Sequence, residues 1–576
     1  MGEVRGSRNE LLRHNVPLWW IAMLCAITIP AQAATITVAN TNDGGPGSLR
    51  QALAIAHDGD TIAFAVAGNI VLTSGELLVD KSISIAGPGI FDVVVNGNAN
   101  SRVFHIAPGQ NVVITDLTIT NGFAGGNPPD SYGGGIYNDH AVLTLSNCTI
   151  MSNAAGFGGG IYNDGFQGTA TLLINKATIS NNTGTFRAGA IYNDGYSSGY
   201  ASLTISASTL SNNSGRAGAA IYNDGEDFGT AVLTAGGGMF TNNSAVFGGC
   251  IYNNSYVGGA SITLDDSVFA GNSADEIGGG IYNYVVSGYG TQTLNKSSFR
   301  SNSAGSGGGA IYNDHAVSFT LKHCAINGNS AETGGGIYND GAGYLQGASW
   351  MTINSSTLNG NSAGTGGGIF NDGQDRGDTH LKIINSTISG NIANYGGGLA
   401  NNGYDGFYVS VQISNTTFGS NSAIELGGNV HNVGQAGRDT VIITLTNTIL
   451  KSGSPGGNIF DDSHTISSLG YNLSDDDCDG YLTGPGDEVN TEPMLGPLQN
   501  NGGPTLTHAL LPASPAINKG DPNFAPPPLY DQRGEGFDRV VDGRVDKGSF
   551  EMQTPAPGLN PRRNFTPKLL PTLSAR

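Results

Sequence analysis

The amino-acid sequence predicts an all-β protein, a right-handed parallel β-helix in which the chain coils repeatedly around one hydrophobic core. A block that reads GGGIYND, or a close variant, recurs every 25 to 32 residues. Between its copies lies a second block, an aliphatic residue or phenylalanine with an asparagine three positions later. The runs between turn residues are short and alternate in polarity, as strands do, and the 90 glycines follow no three-residue period that would indicate collagen.

Residues 1–33 are predicted to be a signal peptide for export. Three arginines precede an apolar run over residues 18–29, and Ala31-Gln32-Ala33 has the small-x-small pattern of a cleavage site. The apolar run is shorter than the roughly 20 residues that a membrane-spanning helix needs. We therefore expect a mature chain without a transmembrane span, secreted or held at the cell surface.

Residues 34–131 are predicted to form an N-terminal cap and the first coils. Ser48 and Gln51 have the spacing of a capping box at the start of a helix. Leu49, Leu53 and the alanines beside them lie on one face of that helix. Because a solenoid exposes unpaired strand edges at its ends, we expect this short helix to cover the first coil.

Residues 132–450 are predicted to contain the main β-helix repeats. Each GGGIYND block places an aliphatic residue in one column and an asparagine two residues later. Stacked coils bring equivalent residues above one another at the strand spacing, so the aliphatic column builds the core and the asparagines form a ladder of amide hydrogen bonds. The ladder asparagines are Asn138, Asn163, Asn193, Asn223, Asn253, Asn283, Asn313, Asn339, Asn371, Asn401 and Asn432.

Residues 451–553 are predicted to form an irregular capping region at the other end, and residues 554–576 a disordered basic tail. Within the capping region, Asp475, Asp477 and Asp479 have the spacing of the first half of an EF-hand calcium loop. Gly486 stands where such a loop carries its bidentate glutamate. A Ca²⁺ site and an acidic surface turn are therefore both open interpretations.

An aspartate follows the ladder asparagine in most coils. Asp194 and Asp224, with Arg187 and Arg216 in the turns before them, are the candidate catalytic groups of a Ca²⁺-dependent enzyme that cleaves acidic glycans. We favour the alternative, an Asn-Asp-Gly turn whose aspartate faces water, because turn chemistry already explains the residue type. The aspartates of this column are Asp139, Asp164, Asp194, Asp224, Asp314, Asp340 and Asp372.

An aromatic residue precedes each of nine ladder asparagines. Strand alternation places this column on the face opposite the aliphatic and asparagine columns, where its rings can stack against sugars or a partner surface. The alternative, which we favour, is ring stacking within the column that stiffens the solenoid. The candidate binding residues are Tyr137, Tyr162, Tyr192, Tyr222, Tyr252, Tyr282, Tyr312 and Tyr338, followed by Phe370.

The repeats over roughly residues 134–421 resemble those of chlamydial polymorphic outer-membrane proteins and related secreted bacterial β-helix proteins. The segment GSLRQAL, residues 47–53, resembles a motif at the start of such proteins. The segment LGPLQNNGGPTLTHALLPASPAINKGD, residues 495–521, resembles their choice-of-anchor C-terminal domain. The resemblance implies a surface protein held by a C-terminal signal, although this chain ends in a basic tail with no apolar span.

The formal net charge of −20 argues against nucleic acids and anionic membranes as partners. No catalytic motif of a known polysaccharide-cleaving β-helix is visible. We therefore predict an extracellular or cell-surface β-helix that binds glycans or host and matrix proteins in adhesion, without catalysis and with no required cofactor other than a possible Ca²⁺. A polysaccharide lyase or hydrolase is the first alternative, and a structural surface spacer is the second.

Overall fold

The computed structural model describes residues 33–315, 318–341, 348–374, 376–404, 406, 408–434 and 440–553. All but the last residue of the predicted signal peptide, and the whole basic tail, lie outside these ranges. Within them, no helix has the length and apolar character needed to cross a bilayer.

Most of the described chain coils into a parallel β-helix, as the repeats predict. Each regular coil gives one strand to each of three long parallel sheets, which we call sheets 1, 2 and 3 in the order in which a coil passes through them. Sheet 1 contains the IYND strands and has 14 strands in the described part of the chain. A shorter parallel sheet, sheet 4, follows sheet 3 in the coils from residue 123 to residue 304.

Sheet 1 consists of Leu77–Val79, Phe104–Ile106, Ile136–Asp139, Ile161–Asp164, Ile191–Asp194, Ile221–Asp224, Ile251–Asn254, Ile281–Tyr284, Ile311–Asp314, Ile337–Asp340, Ile369–Asp372, Leu399–Gly403, Val430–Gly434 and Ile459–Asp461. Sheet 2 consists of Thr35–Val38, Thr61–Phe64, Ser84–Ala86, Asn111–Thr115, Val142–Ser146, Thr169–Asn175, Tyr200–Ser206, Thr230–Gly236, Gly259–Asp265, Gln292–Asn295, Phe319–Lys322, Ser349–Asn354, Asp378–Ile384, Tyr408–Ser414, Thr440–Thr446 and Ile466–Gly470.

Sheet 3 consists of Gly68–Val71, Val93–Asn96, Thr118–Thr120, Thr149–Met151, Thr178–Ser180, Thr209–Ser211, Met239–Thr241, Val268–Ala270, Ser298–Arg300, Ala325–Asn327, Thr357–Asn359, Thr387–Ser389, Thr417–Leu426, Ile449–Ser452 and Leu473–Ser474, with Ile392–Tyr395 paired beside Thr417–Leu426. Sheet 4 consists of Phe123–Ala124, Ala154–Phe157, Thr183–Arg187, Ser214–Gly215, Ser244–Phe247, Ser273–Ile277 and Ser303–Ala304.

The predicted asparagine ladder is present and runs inside the solenoid. Each of the eleven asparagines is fully buried, and the first ten donate their amide Nδ2 to the Oδ1 of the asparagine one coil further on, at 2.7–2.9 Å. The last, Asn432, donates to Asp461 at 2.8 Å. A second buried ladder follows sheet 3, from Asn153 to Asn421, with Nδ2 to Oδ1 distances of 2.8–3.1 Å. Amides without access to water must find partners in the protein, and here they find one another.

The predicted capping helix is also present, at Leu49–Ile55. The hydroxyl of Ser48 accepts a hydrogen bond from the backbone N–H of Gln51, and the Gln51 side chain accepts one from the backbone N–H of Gly47 at 2.6 Å. Leu49, Leu53 and the two neighbouring alanines are buried against the first coils. The sequence signature therefore predicted both the helix and the face that it buries.

The C-terminal region divides into two parts. The segment up to about residue 491, including the 3-10 helix Cys478–Gly480, closes the end of the core with Cys478 and Leu482. Residues 495–551, which we call the C-terminal clasp, turn back along the side of sheet 3 and contain the antiparallel strands Leu495–Gln499 and Thr507–Leu510. The region predicted to cover the end thus does so only in its first part, because the clasp finds hydrogen-bonding partners on the side of the solenoid.

The clasp is fixed to outward-facing threonines in three successive coils. Thr357 donates to the carbonyl of Leu506 at 2.6 Å, and Thr387 donates to the Gln532 side chain at 2.6 Å. Ser549 donates to the hydroxyl of Thr417 at 3.1 Å. One chain segment therefore bonds to coils that lie more than 130 residues earlier in the sequence.

Candidate functional site

The aromatic column and the aspartate column of sheet 1 bond to each other from coil to coil. In each pair the tyrosine hydroxyl donates to a carboxylate oxygen of the aspartate in the following coil. This tyrosine–aspartate file is outside the core, since the side chain between Ile and Asn in each IYND strand points away from it. The pairs are Tyr137–Asp164, Tyr162–Asp194, Tyr192–Asp224, Tyr282–Asp314, Tyr312–Asp340 and Tyr338–Asp372.

The prediction that these turn aspartates face water is wrong. Asp164, Asp194 and Asp224 are only 4%, 5% and 1% exposed. Their second oxygen does serve the turn, since it accepts the backbone N–H two residues later at 2.9–3.3 Å. The turn chemistry was predicted correctly, but the tyrosine of the preceding coil covers the other oxygen.

Stacking buried carboxylates makes ionisation unfavourable. Burial, followed by the negative charge of Asp224, raises the pKa of Asp194 to about 7. Burial likewise raises the pKa of Asp164 and of Asp224. These groups therefore act as hydrogen-bond acceptors that hold a charge with difficulty.

Both runs of aspartates end at an asparagine. The amide Nδ2 of Asn254 donates to Asp224 and to Glu226, each at 2.9 Å. At the end of the second run, the amide of Asn402 donates to Asp372 at 3.0 Å. Each amide supplies a donor where a further carboxylate would repel the previous one.

A groove of about 750 Å³ lies over this file in the coils between residues 132 and 252. Its floor is formed by four of the eight predicted binding residues, namely Tyr162, Tyr192, Tyr222 and Tyr252. The first three rings stack with centroids 4.9 and 5.0 Å apart, and the last two are 4.8 Å apart. The other four predicted tyrosines, Tyr137, Tyr282, Tyr312 and Tyr338, continue the file beyond the groove.

Sheet 4 supplies an aromatic wall that sequence reasoning missed. Phe157, Phe186 and Phe247 line the groove from this sheet, and Phe186 is 53% exposed. Phe166 and Tyr196 lie in the turns after sheet 1 and stack at 5.8 Å. The signal was an aromatic residue close before the glycine-rich start of successive blocks, as in FGGG, FRAG and FGGC.

All four candidate catalytic residues line this same groove. The Arg187 guanidinium lies over the Tyr222 ring, 4.8 Å from its centroid, and 3.3 Å from a carboxylate oxygen of Asp224. Asp194 accepts the hydroxyl of Tyr162. The structure thus brings together the residues that the sequence singled out. In this arrangement Asp224 is paired with Arg187, each carboxylate accepts a tyrosine hydroxyl, and Arg187 lies over a tyrosine ring.

In the candidate calcium loop, Asp475 and Asp477 contact different parts of the chain. Asp475 accepts the backbone N–H of Ser452 at 2.9 Å and the amide of Asn458 at 2.8 Å, whereas Asp477 caps the short 3-10 helix. Calcium binding by Asp475, Asp477 and Asp479 stays a prediction. Among the described residues, one group of three His, Cys, Asp or Glu side chains has its ligand atoms within 4.8 Å of one another, and it lies elsewhere, at Asp139, His140 and Asp164.

Comparison with known proteins supports the repeat resemblance over part of the chain. Residues 266–284 and 296–314 match the repeat of the Chlamydia polymorphic membrane proteins. A comparison with curated protein sequences finds no match.

Several solved enzyme structures are similar at low identity. A mannuronic-acid-specific polysaccharide family 6 lyase from human gut microbiota is 11% identical, with 77% of this chain and 86% of that chain covered and a TM-score of 0.30. The A-module of the mannuronan C-5 epimerase AlgE6 of Azotobacter vinelandii is 11% identical, covering 76% and 98%, with a TM-score of 0.30. Pectate lyase Pel9A is 14% identical, covering 91% and 97%, with a TM-score of 0.24.

Proposed function

We propose that this protein is an exported cell-surface β-helix that binds a glycan chain in its aromatic groove without cleaving it. The observation that carries the proposal is the phenylalanine wall, in which Phe186 is 53% exposed, above a floor of stacked tyrosines. The hydroxyls of three of these tyrosines are already hydrogen-bonded within the protein. Large exposed aromatic side chains around a concave surface are characteristic of binding sites. Sugar rings offer apolar faces that pack on such side chains.

The charges in the groove favour a neutral glycan. Arg187 is paired with Asp224 at 3.3 Å, and Arg216 and Glu226 are further polar groups among the lining residues. A guanidinium and a carboxylate are suited to hydrogen bonds with sugar hydroxyls. The net charge of −20 disfavours an acidic polysaccharide through long-range repulsion.

The pairing of the acidic residues is the reason for proposing binding over catalysis. A calcium-dependent lyase would need Asp194 and Asp224 to present carboxylate oxygens to a cation. Both side chains are nearly fully buried and accept tyrosine hydroxyls. Cleavage of an acidic glycan is the second candidate function, supported only by the presence of Arg187 and Arg216 in the same groove.

The proposed surface location is supported by the repeats and by sequence features of residues 1–33 and 451–553. The matched repeat comes from membrane proteins of Chlamydia, and the sequence of residues 1–33 fits export. We propose that 34–131 and 132–450 form one continuous solenoid, and that 451–553, with its choice-of-anchor resemblance, takes part in retention at the surface. Host or matrix proteins are the alternative partners, and a spacer without a ligand is the alternative role.

The test is binding of the purified chain to immobilised neutral and acidic polysaccharides. We expect binding to a neutral polysaccharide, and a loss of affinity of about fivefold for Phe186→Ala, because one sugar-stacking ring is worth about 1 kcal/mol. Arg216→Ala tests the polar edge in the same assay. Trp350→Ala is the matched control, since Trp350 is 51% exposed but lies on sheet 2, outside the groove.

Absence of binding across the panel, or equal binding by the Phe186 variant and the wild type, would overturn the proposal. The catalytic alternative is tested in the same samples by measuring the chain length of the polysaccharides with and without Ca²⁺. Calcium-dependent cleavage that disappears in Asp194→Ala would establish the enzyme and refute the non-catalytic reading.

A further inference from the structure

A serine and a histidine meet where the clasp crosses sheet 3. Ser389 is the last residue of the strand Thr387–Ser389, and its Oγ lies 2.9 Å from Nε2 of His508 in the clasp strand Thr507–Leu510. We propose that Ser389 and His508 form a nucleophile–base pair that hydrolyses esters of small carboxylic acids. The site lies under the clasp and does not depend on the proposed glycan groove, and ester hydrolysis leaves the backbone of a glycan intact.

The hydrogen bonds of His508 fix which of its nitrogens carries the proton. Nδ1 is 2.7 Å from the backbone carbonyl of Gly496, and because a carbonyl can only accept, Nδ1 carries the hydrogen. In the neutral ring Nε2 then has a lone pair, which accepts the hydroxyl hydrogen of Ser389. Burial lowers the pKa of His508, and the charge of Lys451 lowers this pKa further, so the ring stays neutral. A hydroxyl bonded to an imidazole that a third group orients is the arrangement of an activated nucleophile.

The repeat makes room for the imidazole by omitting one side chain. Ser389 belongs to an outward-facing column of sheet 3 that continues with Gly419 and Lys451 in the next two coils. A Cβ atom at Gly419 would lie 2.8 Å from Nε2 of His508 and 3.5 Å from Oγ of Ser389. A larger residue at this position would therefore push the imidazole away from the hydroxyl.

A cavity of about 380 Å³ adjoins the pair, between sheet 3 and the clasp. Ser389, His508 and Lys451 line it together. Ser420 and Pro497 are exposed residues of the same lining, so the cavity is reached from solvent. Its volume is at the lower end of the range for small-molecule sites, which favours an ester with a short acyl group over a polymer.

The reaction balances with these groups and water. Oγ of Ser389 bonds to the carbonyl carbon of the ester while Nε2 of His508 takes the hydroxyl proton. The adduct carries a negative oxygen, and the ammonium group of Lys451, which is ion-paired with Glu492, is the cation of this cavity that can stabilise it. The bond to the alcohol oxygen then breaks, and His508 returns the proton to that oxygen. Water hydrolyses the acyl-serine by the same two steps, which releases the acid and restores the hydroxyl.

The group that orients the imidazole favours esters over amides. The carbonyl of Gly496 is uncharged, so it stabilises the imidazolium formed in the reaction less than a carboxylate would. An alcohol is a better leaving group than an amine and needs less help from the protonated ring. Esters are therefore the substrate class that matches this pair.

A second serine–histidine pair in the chain provides a matched control. Oγ of Ser410 is 2.8 Å from Nδ1 of His380 on the outer face of sheet 2. This imidazole stacks on the exposed ring of Trp350, with centroids 3.6 Å apart. The pair shares the bond between hydroxyl and imidazole but lies outside the cavity under the clasp.

The experiment is labelling of the purified full chain with a fluorophosphonate, whose phosphorus bonds to an activated serine oxygen as fluoride leaves. We expect one label per chain, located at Ser389 by peptide mass spectrometry, and none in Ser389→Ala. His508→Gln and Gly419→Ala should slow labelling by at least about 100-fold, because the base is removed or displaced. Ser410→Ala should be labelled at the wild-type rate. The rate of p-nitrophenyl acetate hydrolysis should fall in the same variants.

Melting temperatures recorded in parallel separate catalysis from attachment of the clasp. Ser549→Ala removes another bond between the clasp and a coil, the one to Thr417 at 3.1 Å. It should melt at a lower temperature and still be labelled at the wild-type rate. Absence of label on the folded wild type would show that Ser389 and His508 only attach the clasp. Undiminished labelling of folded His508→Gln would place the reactive serine elsewhere, and either result overturns the proposal.

Discussion

Two files of side chains run along sheet 1, one on each face. The asparagine file lies in the core and continues through eleven coils without a substitution. The tyrosine–aspartate file lies on the outer face, and its aspartate is replaced by Asn254 and Tyr284 in two adjacent coils. A core amide can be satisfied only by other buried groups, here the asparagines of adjacent coils and backbone carbonyls. A group on the outer face can exchange its partner for a turn, an arginine or water.

The largest expected effect comes from interrupting the inner file. Asn193→Ala removes the acceptor of Asn163 and the donor to Asn223, both at 2.8 Å, and leaves two buried amides short of a partner. We expect the free energy of unfolding to fall by about 3 kcal/mol, measured by denaturant titration. Asn175→Ala, on a half-buried strand position of sheet 2, is the control and should change stability by less than about 0.5 kcal/mol. Equal losses would contradict the importance of the inner file.

A smaller effect is expected in the outer file. Tyr192→Phe removes the hydroxyl that donates to Asp224, but this carboxylate keeps Arg187 at 3.3 Å and Asn254 at 2.9 Å. We expect a loss of about 1–2 kcal/mol in the same titration. Tyr222→Phe is matched to it, because that hydroxyl accepts from Asn254 at 3.2 Å and serves no carboxylate. A Tyr222 variant as damaged as the Tyr192 variant would show that ring packing, and not the hydroxyl, is being measured.

The outer file also gives the stability a dependence on pH that the inner file does not have. The pKa of Asp194 is about 7 in the folded chain, against about 3.9 when unfolded. The folded state therefore holds the proton more tightly, and the stability that Asp194 contributes is complete below pH 4 and is lost as pH rises to about 7. We expect the melting temperature to fall over this range, with a shallower fall in Asp194→Asn.

The control for this slope is Asp130→Asn, since Asp130 is exposed and its variant should follow the wild type. Parallel curves for the wild type and the Asp194 variant would mean that Asp194 is ionised throughout.

The difference between the two files also explains what the sequence could predict. Residue types that recur at a fixed spacing indicate stacked coils, so the β-helix and the inner ladder were predicted from the repeats. The helix beginning after Ser48 was predicted from its capping spacing. The burial of Asp194 could not be predicted in this way. It depends on Tyr162 one coil earlier, and the spacing between columns gives no information on which way a turn carboxylate faces.

The groove was only half predicted for a similar reason. Its tyrosine floor belongs to a strict column, but its wall is irregular. Phe157 and Phe247 occupy a sheet 4 position that other coils fill with arginine, alanine, isoleucine or glycine, and Phe186 lies one residue before that position. A site made from irregular positions does not stand out against a repeat. The side-on docking of the clasp was missed because its partners are threonines of sheet 3 that carry no distinctive pattern.

The clasp has a consequence for how the molecule comes apart. A solenoid whose coils touch only their neighbours can fray from either end, one turn after another. The bonds from the clasp to Thr357, Thr387 and Thr417 tie three turns to one another, so the turns beneath it must be released together. Unravelling under load or heat should therefore start near the N-terminal helix and travel in one direction, and the clasp, which is synthesised after every coil that it holds, is the segment that locks those turns in place.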